Sequence, residues 1–441
     1  MDYQKILLGI DEIWLKSEKV RKEAIKSLLE DIKSRLNFSE IEERRGRIII
    51  HSFKEEWIKK LQKIFGIKTI YPAYVCETNL EEIKNKVLEI LKDFKGSFKI
   101  ETKRVYKKFP LNSLEISREV GKFVEENLKL KVDVKNPDKI VYIEIHEKET
   151  YIYDKIFYGV GGLNLGFEGK GLVLFSGGMD SSLAAYFMGK RGMNLDFLFV
   201  NMAGEFYLNY IFRIFNKLKE FFPNAKLYVY DLDVEKLLKV RKGYKQIMFK
   251  VLIYKIAESF AKSKNYDAII TGESLGQTSS QTIESLEVLD SISSFLIFRP
   301  LIGMNKDEII EFSKKLGFFD LRAPEICELE KYPTTKPKLE VIQEELEKLS
   351  INFDEEIKKI RELINFEIEE KILKLPKKEE VIVLNVDKLN LDSLKLEKGK
   401  KYLFVCKSGI MARTIAEKFR SEGYETYYLD LKTAKLLKYL D

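Results

Sequence analysis

An apolar strand, a glycine–serine loop and an amphipathic helix follow one another without a break at residues 171–190, GLVLFSGGMDSSLAAYFMGK. A short loop between a strand and a helix leaves the helix packed back on the sheet, so the next strand runs parallel. The rhythm continues through LDFLFVN (195–201), a helix near 207–221, KLYVYDL (226–232), a helix at 246–264 and DAIITGE (267–273). Residues 171–325 therefore read as a doubly wound parallel sheet. The loop itself, Ser176-Gly177-Gly178-Met179-Asp180-Ser181-Ser182, has the makings of an anion cradle. Glycines let backbone approach closely, serines add donors, and the helix start offers free N–H groups. Asp180 does not suit simple anion binding and suggests a magnesium-linked role. A Gly/Ser turn with a helix cap is the alternative at this point.

The rest of the chain organises around this segment. Residues 5–76 and 80–157 alternate strands and helices as two small α/β units, and a glycine-rich stretch at 159–171 reads as a linker or hinge. Residues 338–374 are charged and helical in pattern. LPKKEE (375–380) reads as a linker, and a last short α/β unit holds VIVLNV, KYLFVC, a helix at 411–422 and ETYYLDL. The chain has 441 residues, 45% apolar and 12% aromatic, enough for about three or four domains and too apolar for a disordered chain. No apolar run is long enough to span a membrane, and the start MDYQKILLGIDEIWLK does not read as a secretory signal. The formal charge is +7, and five of those charges fall within residues 1–170, which leaves room for a confined basic surface but excludes a polycation.

Three cysteines, Cys76, Cys327 and Cys406, with no CxxC and two histidines, argue against disulfides and against a four-cysteine zinc site; a cytoplasmic protein is expected. Cys406 follows an apolar strand and begins Cys406-Lys407-Ser408-Gly409-Ile410-Met411-Ala412-Arg413 ahead of a helix. Backbone N–H groups, the helix start and the neighbours Lys407 and Arg413 would favour a thiolate or a persulfide there. A buried structural cysteine ending a strand is equally consistent. Cys76, ending a strand, reads as structural. Lys103-Arg104-Val105-Tyr106-Lys107-Lys108 interleaves cations with an aromatic, which suits phosphate contact and stacking on unpaired bases, or else a strand edge protected by lysines.

SGGMDS resembles the pyrophosphate loop, SGGxDS, of ATP pyrophosphatases that adenylate their substrates. Thr271-Gly272-Glu273-Ser274-Leu275-Gly276-Gln277-Thr278-Ser279-Ser280-Gln281-Thr282, Arg299-Pro300-Leu301-Ile302, Tyr332-Pro333-Thr334-Thr335-Lys336 and Gly159–Leu163 further resemble the tRNA 4-thiouridine synthetases, the ThiI family. The loop at Cys406 is similar to that family's rhodanese variant, C-x-x-G-x-M-x-R, on an abbreviated tail. The resemblance covers the chain in the family's order. It implies an α/β multidomain protein: a ferredoxin-like domain (1–77), a THUMP RNA-binding domain (78–165), a PP-loop ATP pyrophosphatase domain (166–345), a helical linker (346–380) and a short rhodanese-like domain (381–441).

The resemblance implies an ATP site of Leu174, Phe175, Ser176, Gly177, Gly178, Ser181, Lys250, Gly272 and Gln281, with Asp180 catalytic and near Mg2+. It implies RNA contact by Lys103, Arg104, Lys107 and Lys108. It implies a persulfide on Cys406 with Cys327 as its partner. The reaction implied is thiolation of tRNA uridine 8, with a cysteine desulfurase or other sulfur donor, a reductant for the Cys327–Cys406 disulfide, and a homodimer. Asn305 stands where the family usually has an acid. Sulfur delivery for thiamine thiazole, another adenylation product on tRNA, and a non-catalytic tRNA-binding protein are the alternatives.

Overall fold

The computed structural model describes residues 2–38, 40–44, 46–204, 207–321, 329–330, 332–364, 375–389, 394–407 and 409–440. The chain forms two compact units. One comprises residues 1–167 with 190–192; the other comprises 168–189 with 193–441.

In the first unit, β1 (Lys5–Ile10), β2 (Ile41–Arg44), β3 (Arg47–Ile50), β4 (Ile67–Glu77), β5 (Ser97–Arg104), β6 (Lys131–Val132), β7 (Lys139–Ile145), β8 (Glu149–Tyr153) and β9 (Phe157–Tyr158) share one sheet. Its order is β2-β3-β1-β4-β8-β7-β5-β6, with β9 beside β4. Alternating apolar residues put Ile6, Leu8, Ile48 and Ile50 against α1 (Glu18–Arg35) and α2 (Glu55–Leu61). Phe98, Ile100, Val141 and Ile143 pack likewise with α3 (Leu80–Leu91) and α4 (Ser113–Leu128). The two α/β patterns in the sequence are thus halves of one sheet. The long strand β4 joins them, its early residues pairing with β1 and its last four with β8.

An ion pair spans these halves on the other face of the sheet. Arg47 donates to the buried Glu144 at 2.9 Å, and the His146 ring lies 3.0 Å from the same carboxylate. Burial alone would raise the Glu144 pKa; the His146 and Arg47 hydrogen bonds outweigh it and lower it to about 2.

In the second unit, β10 (Lys170–Leu174), β11 (Asn194–Asn201), β12 (Leu227–Asp231), β13 (Ala268–Ile270), β14 (Ile297–Phe298) and β15 (Arg361–Glu362) form a sheet of order β14-β13-β10-β11-β12-β15. The first five strands are parallel, as the sequence rhythm predicts. Around them lie α5 (Met179–Lys190), α6 (Leu208–Leu218), α7 (Val234–Leu238), α8 (Lys245–Ser263), α9 (Ile283–Ile292), α10 (Lys306–Leu316) and α11 (Leu339–Leu349). Strand order reverses at β10, whose neighbours are β11 on one side and β13 on the other, so a crevice opens at its carboxyl end.

Residues 361–362 depart from the helical pattern expected of the linker. They form the antiparallel edge strand β15 on β12, because Leu363 is buried there and its N–H donates to the Leu227 carbonyl at 2.7 Å. The tail is a three-stranded parallel sheet, β16 (Val381–Asn385), β17 (Lys401–Cys406) and β18 (Glu425–Asp430), with helices Ile410–Ser421 and Leu431–Leu436. Among the described residues, no helix is long and apolar enough to cross a membrane.

Candidate active site

The glycine–serine loop occupies the crevice at the end of β10. The Phe175 N–H donates to Leu198 O at 2.9 Å, which ties the loop's start to β11. The Ser176 and Ser181 hydroxyls lie 3.2 Å apart, and the Gly178 N–H donates to Ser176 Oγ at 3.3 Å. Gly177 has φ +70°, a left-handed turn that a side chain would strain. Gly272 is needed for a different reason: a Cβ there would lie 2.6 Å from the Asp180 and Ser181 backbone, so only glycine lets the end of β13 meet the first turn of α5.

These elements enclose a cavity of about 390 Å³, inside the range of small-ligand pockets. Leu174, Phe175, Ser176, Gly178, Ser181, Lys250, Gly272 and Gln281 all line it, as does Asp180. Gly177 shapes the loop without lining the cavity. Phe199, Val200, Tyr207 and Ile253 supply apolar walls that the sequence did not single out.

The cavity floor is electrostatically built. Glu273 is 1% exposed, and Tyr254 donates to it at 2.6 Å, Arg299 Nε at 2.9 Å and Lys250 at 3.4 Å. Burial would raise its pKa, but Lys250, the Tyr254 hydrogen bond and Arg299 hold it below the usual carboxylate range. An ionised Glu273 holds the Lys250 ammonium at the edge of the cavity that Lys250 lines. Glu273 lies inside the sequence segment Thr271–Thr282, yet only its burial reveals this role.

At the mouth, Lys306 donates to both Asp180 oxygens, at 2.8 and 3.0 Å. Lys306 is a second cation that the sequence reading missed. Its neighbour Asn305 caps α10, accepting from Glu308 N at 3.0 Å while Asn305 N donates to the Glu308 carboxylate at 2.8 Å. Asparagine caps a helix as well as aspartate does, so the exchange at this position keeps the local structure. No cluster of three or more metal-ligating side chains occurs among the described residues. The lone Asp180 carboxylate suits a magnesium ion held chiefly by phosphates.

Cys406 ends β17 and is buried, and its sulfur accepts from Ala412 N at 3.4 Å. Gly409, at φ +82°, starts the following helix, and the Lys407 N–H donates to Asp387 at 2.8 Å. Arg413 donates through Nε to Glu417 at 2.8 Å, one helical turn on. Cys327 lies outside the described residues. Cys76 is buried, and burial pushes its thiol up to about 12, which fits a structural residue.

Among the four basic residues of the RNA segment, Lys107 and Lys108 are exposed and Lys103 lies 3.8 Å from Glu144. Arg104 turns inward instead. It donates to the Phe109 and Leu111 carbonyls, both at 3.0 Å, and so pins the loop that presents the lysines.

Comparison with known proteins fits this geometry. Residues 166–351 match the family model described as thiamine biosynthesis protein (ThiI), 77–154 the THUMP domain and 5–70 the ThiI ferredoxin-like domain. A probable tRNA sulfurtransferase of Thermoanaerobacter sp. (strain X514) is 41% identical over 353 residues, covering 75% of this chain and 93% of the relative. The chain belongs to the ThiI family of tRNA sulfurtransferases. A second member, from Methanocaldococcus jannaschii, is 34% identical over 79% of this chain and 97% of its own. A crystal structure of a 4-thiouridine synthetase–RNA complex with bound ATP superposes with a TM-score of 0.73 at 27% identity, covering 82% of this chain and 99% of that one. The ThiI-family architecture of ferredoxin-like, THUMP and PP-loop domains therefore accounts for both units up to residue 351.

Proposed function

We propose that this chain converts uridine 8 of tRNA to 4-thiouridine, with ATP bound at the 176–181 loop and sulfur carried by Cys406. The observation that carries the reading is one compact unit holding both a phosphate-sized cradle with an anchored lysine and a cysteine in a strand–loop–helix cradle. The ATP-bound RNA complex of a relative supports the choice of ligands.

The uridine O4 attacks the α-phosphate of ATP and pyrophosphate leaves. The N–H groups at the start of α5, with Lys250 and Lys306, stabilise the charge that develops there. Asp180 would hold a magnesium ion, which supplies further charge neutralisation at the phosphates. C4 then carries AMP as its leaving group. The terminal sulfur of a Cys406 persulfide adds at C4 and AMP departs. The Cys327 thiolate attacks the Cys406 sulfur and breaks the S–S bond, which leaves sulfur on the base and a Cys327–Cys406 disulfide. A reductant supplies two electrons to reopen it.

A cysteine desulfurase or another donor reloads Cys406. Lys107 and Lys108, on the loop that Arg104 pins, contact the tRNA backbone in this scheme. The tail, 381–441, acts as an abbreviated rhodanese-like domain, and the active protein is a cytoplasmic homodimer. The description of the matching family model keeps sulfur delivery for thiamine thiazole as a second reading, tested by growth of a deletion strain without thiazole.

The adenylation half is tested by release of AMP and pyrophosphate from ATP with and without unmodified tRNA. Release that depends on tRNA and is lost in Asp180→Ala supports it. Release independent of tRNA contradicts it.

A further inference from the structure

The wall of the nucleotide cavity is connected to the cysteine loop of the tail by a short run of side chains. Tyr207 lines the cavity and stacks on Phe199, with ring centroids 5.8 Å apart. Tyr210, one helical turn on, meets Tyr207 edge-on at 5.8 Å. The Tyr210 hydroxyl lies 3.1 Å from the hydroxyl of Thr433 in the tail, and Lys432 sits over its ring at 5.0 Å. Thr433 in turn is held by Asp430, which accepts from its N–H at 2.9 Å and from its hydroxyl at 2.5 Å. Asp430 is the cross-strand partner of Cys406.

A second contact lies beside the first. Gly204 follows the end of β11 with φ +87°, and a Cβ there would overlap the ring of Tyr428. Gly409, in the cysteine loop, faces the carbonyl of Ala203, where a Cβ would lie at 3.2 Å. The turn that receives the tail is fixed in advance. Asn201 is fully buried, donates to Asp231 at 2.6 Å, and accepts from the N–H groups of Ala203 and Gly204, both at 3.1 Å. Two glycines thus face opposite sides of one joint, and the buried Asn201 side chain shapes it.

We propose that residues 201–204 and Tyr210 form a seat that positions the Cys406 loop beside the nucleotide cavity for sulfur transfer. Gly204, Tyr210, Tyr428 and Thr433 are positioning residues, acting on the base only through Cys406. The proposal rests on the tRNA-thiolation reading for its consequence, but not for the seat itself. Holding a donor at a fixed site makes transfer effectively intramolecular, and a small loss of alignment costs a large part of the rate.

The test compares two sulfur sources in Gly204→Leu and Tyr428→Ala. One source is a persulfide preloaded on Cys406; the other is free sulfide, which adds at C4 without the tail. With persulfide, thiouridine formation should fall about tenfold or more in both variants, while with sulfide it should stay within about twofold of the parent. A merely structural role would lower both alike, and that result, or an unchanged persulfide rate, would overturn the proposal.

If the parent chain forms no thiouridine from either source, the functional reading fails, and the seat is still decided by alkylation of Cys406 with iodoacetamide, followed on its own peptide. Unseating uncovers the loop, so Gly204→Leu should react several-fold faster than the parent. Equal rates would overturn the seat.

Discussion

Glu273 is a buried carboxylate on the cavity floor, surrounded by Lys250, Arg299 and Tyr254. Removing its charge takes the Glu273 counter-charge from Lys250, while Arg299 keeps Asp290 at 2.6 Å, and Glu273→Gln should cost about 2–3 kcal/mol in denaturant titrations and weaken ATP binding, read as a raised KM. Its pKa lies below the usual range when folded. Its stabilising contribution is therefore present above the unfolded value near 4.5 and fades as pH falls through the lower folded value.

Glu144 follows the same sign in the other unit. Its pKa falls from 4.5 to about 2 on folding, so the first unit should lose roughly 3 kcal/mol between those two pH values. An acid titration followed by far-UV circular dichroism checks this, and Glu144→Gln should flatten that limb. Neither carboxylate was legible as a site in the sequence, since each depends on partners far along the chain: Arg47 for Glu144, Lys250 and Arg299 for Glu273.

Elements position the site through two close approaches. At Gly272 the end of β13 touches the first turn of α5, and Gly272→Ala should push the loop outward, lowering kcat/KM for ATP about tenfold or more with the fold retained. A kcat/KM unchanged in that variant would mean that the loop tolerates the shift. At α10, Asn305→Ala removes a capping box and should cost about 1 kcal/mol, read as a lower Tm, whereas Asn305→Asp should be neutral. The order of strands and helices around SGGMDS was legible because each periodic run is long and each break carries glycine or serine. The edge strand β15 was not, because two residues beside a charged helix carry no period of their own. Lys306 escaped notice for a similar reason: it stands at a helix start and gains meaning only by reaching Asp180, 126 residues earlier.

Across the whole molecule, the ThiI-family models match residues up to 351, and the tail that carries Cys406 lies beyond that residue; the proposed reaction draws on both. The family resemblance was readable from short motifs because phosphate cradles tolerate few residue types at each place. How the tail meets residues 203–204 and Tyr210 was not readable, since a contact between surfaces leaves only isolated glycines and tyrosines in the sequence. The most direct measurement is nucleoside mass spectrometry of unmodified tRNA after incubation with the protein, ATP, magnesium and a persulfide donor. The account predicts 4-thiouridine from the parent chain with ATP and none from Cys406→Ser or Asp180→Ala. Thiouridine formed at the parent rate by Cys406→Ser from the same donor would contradict it.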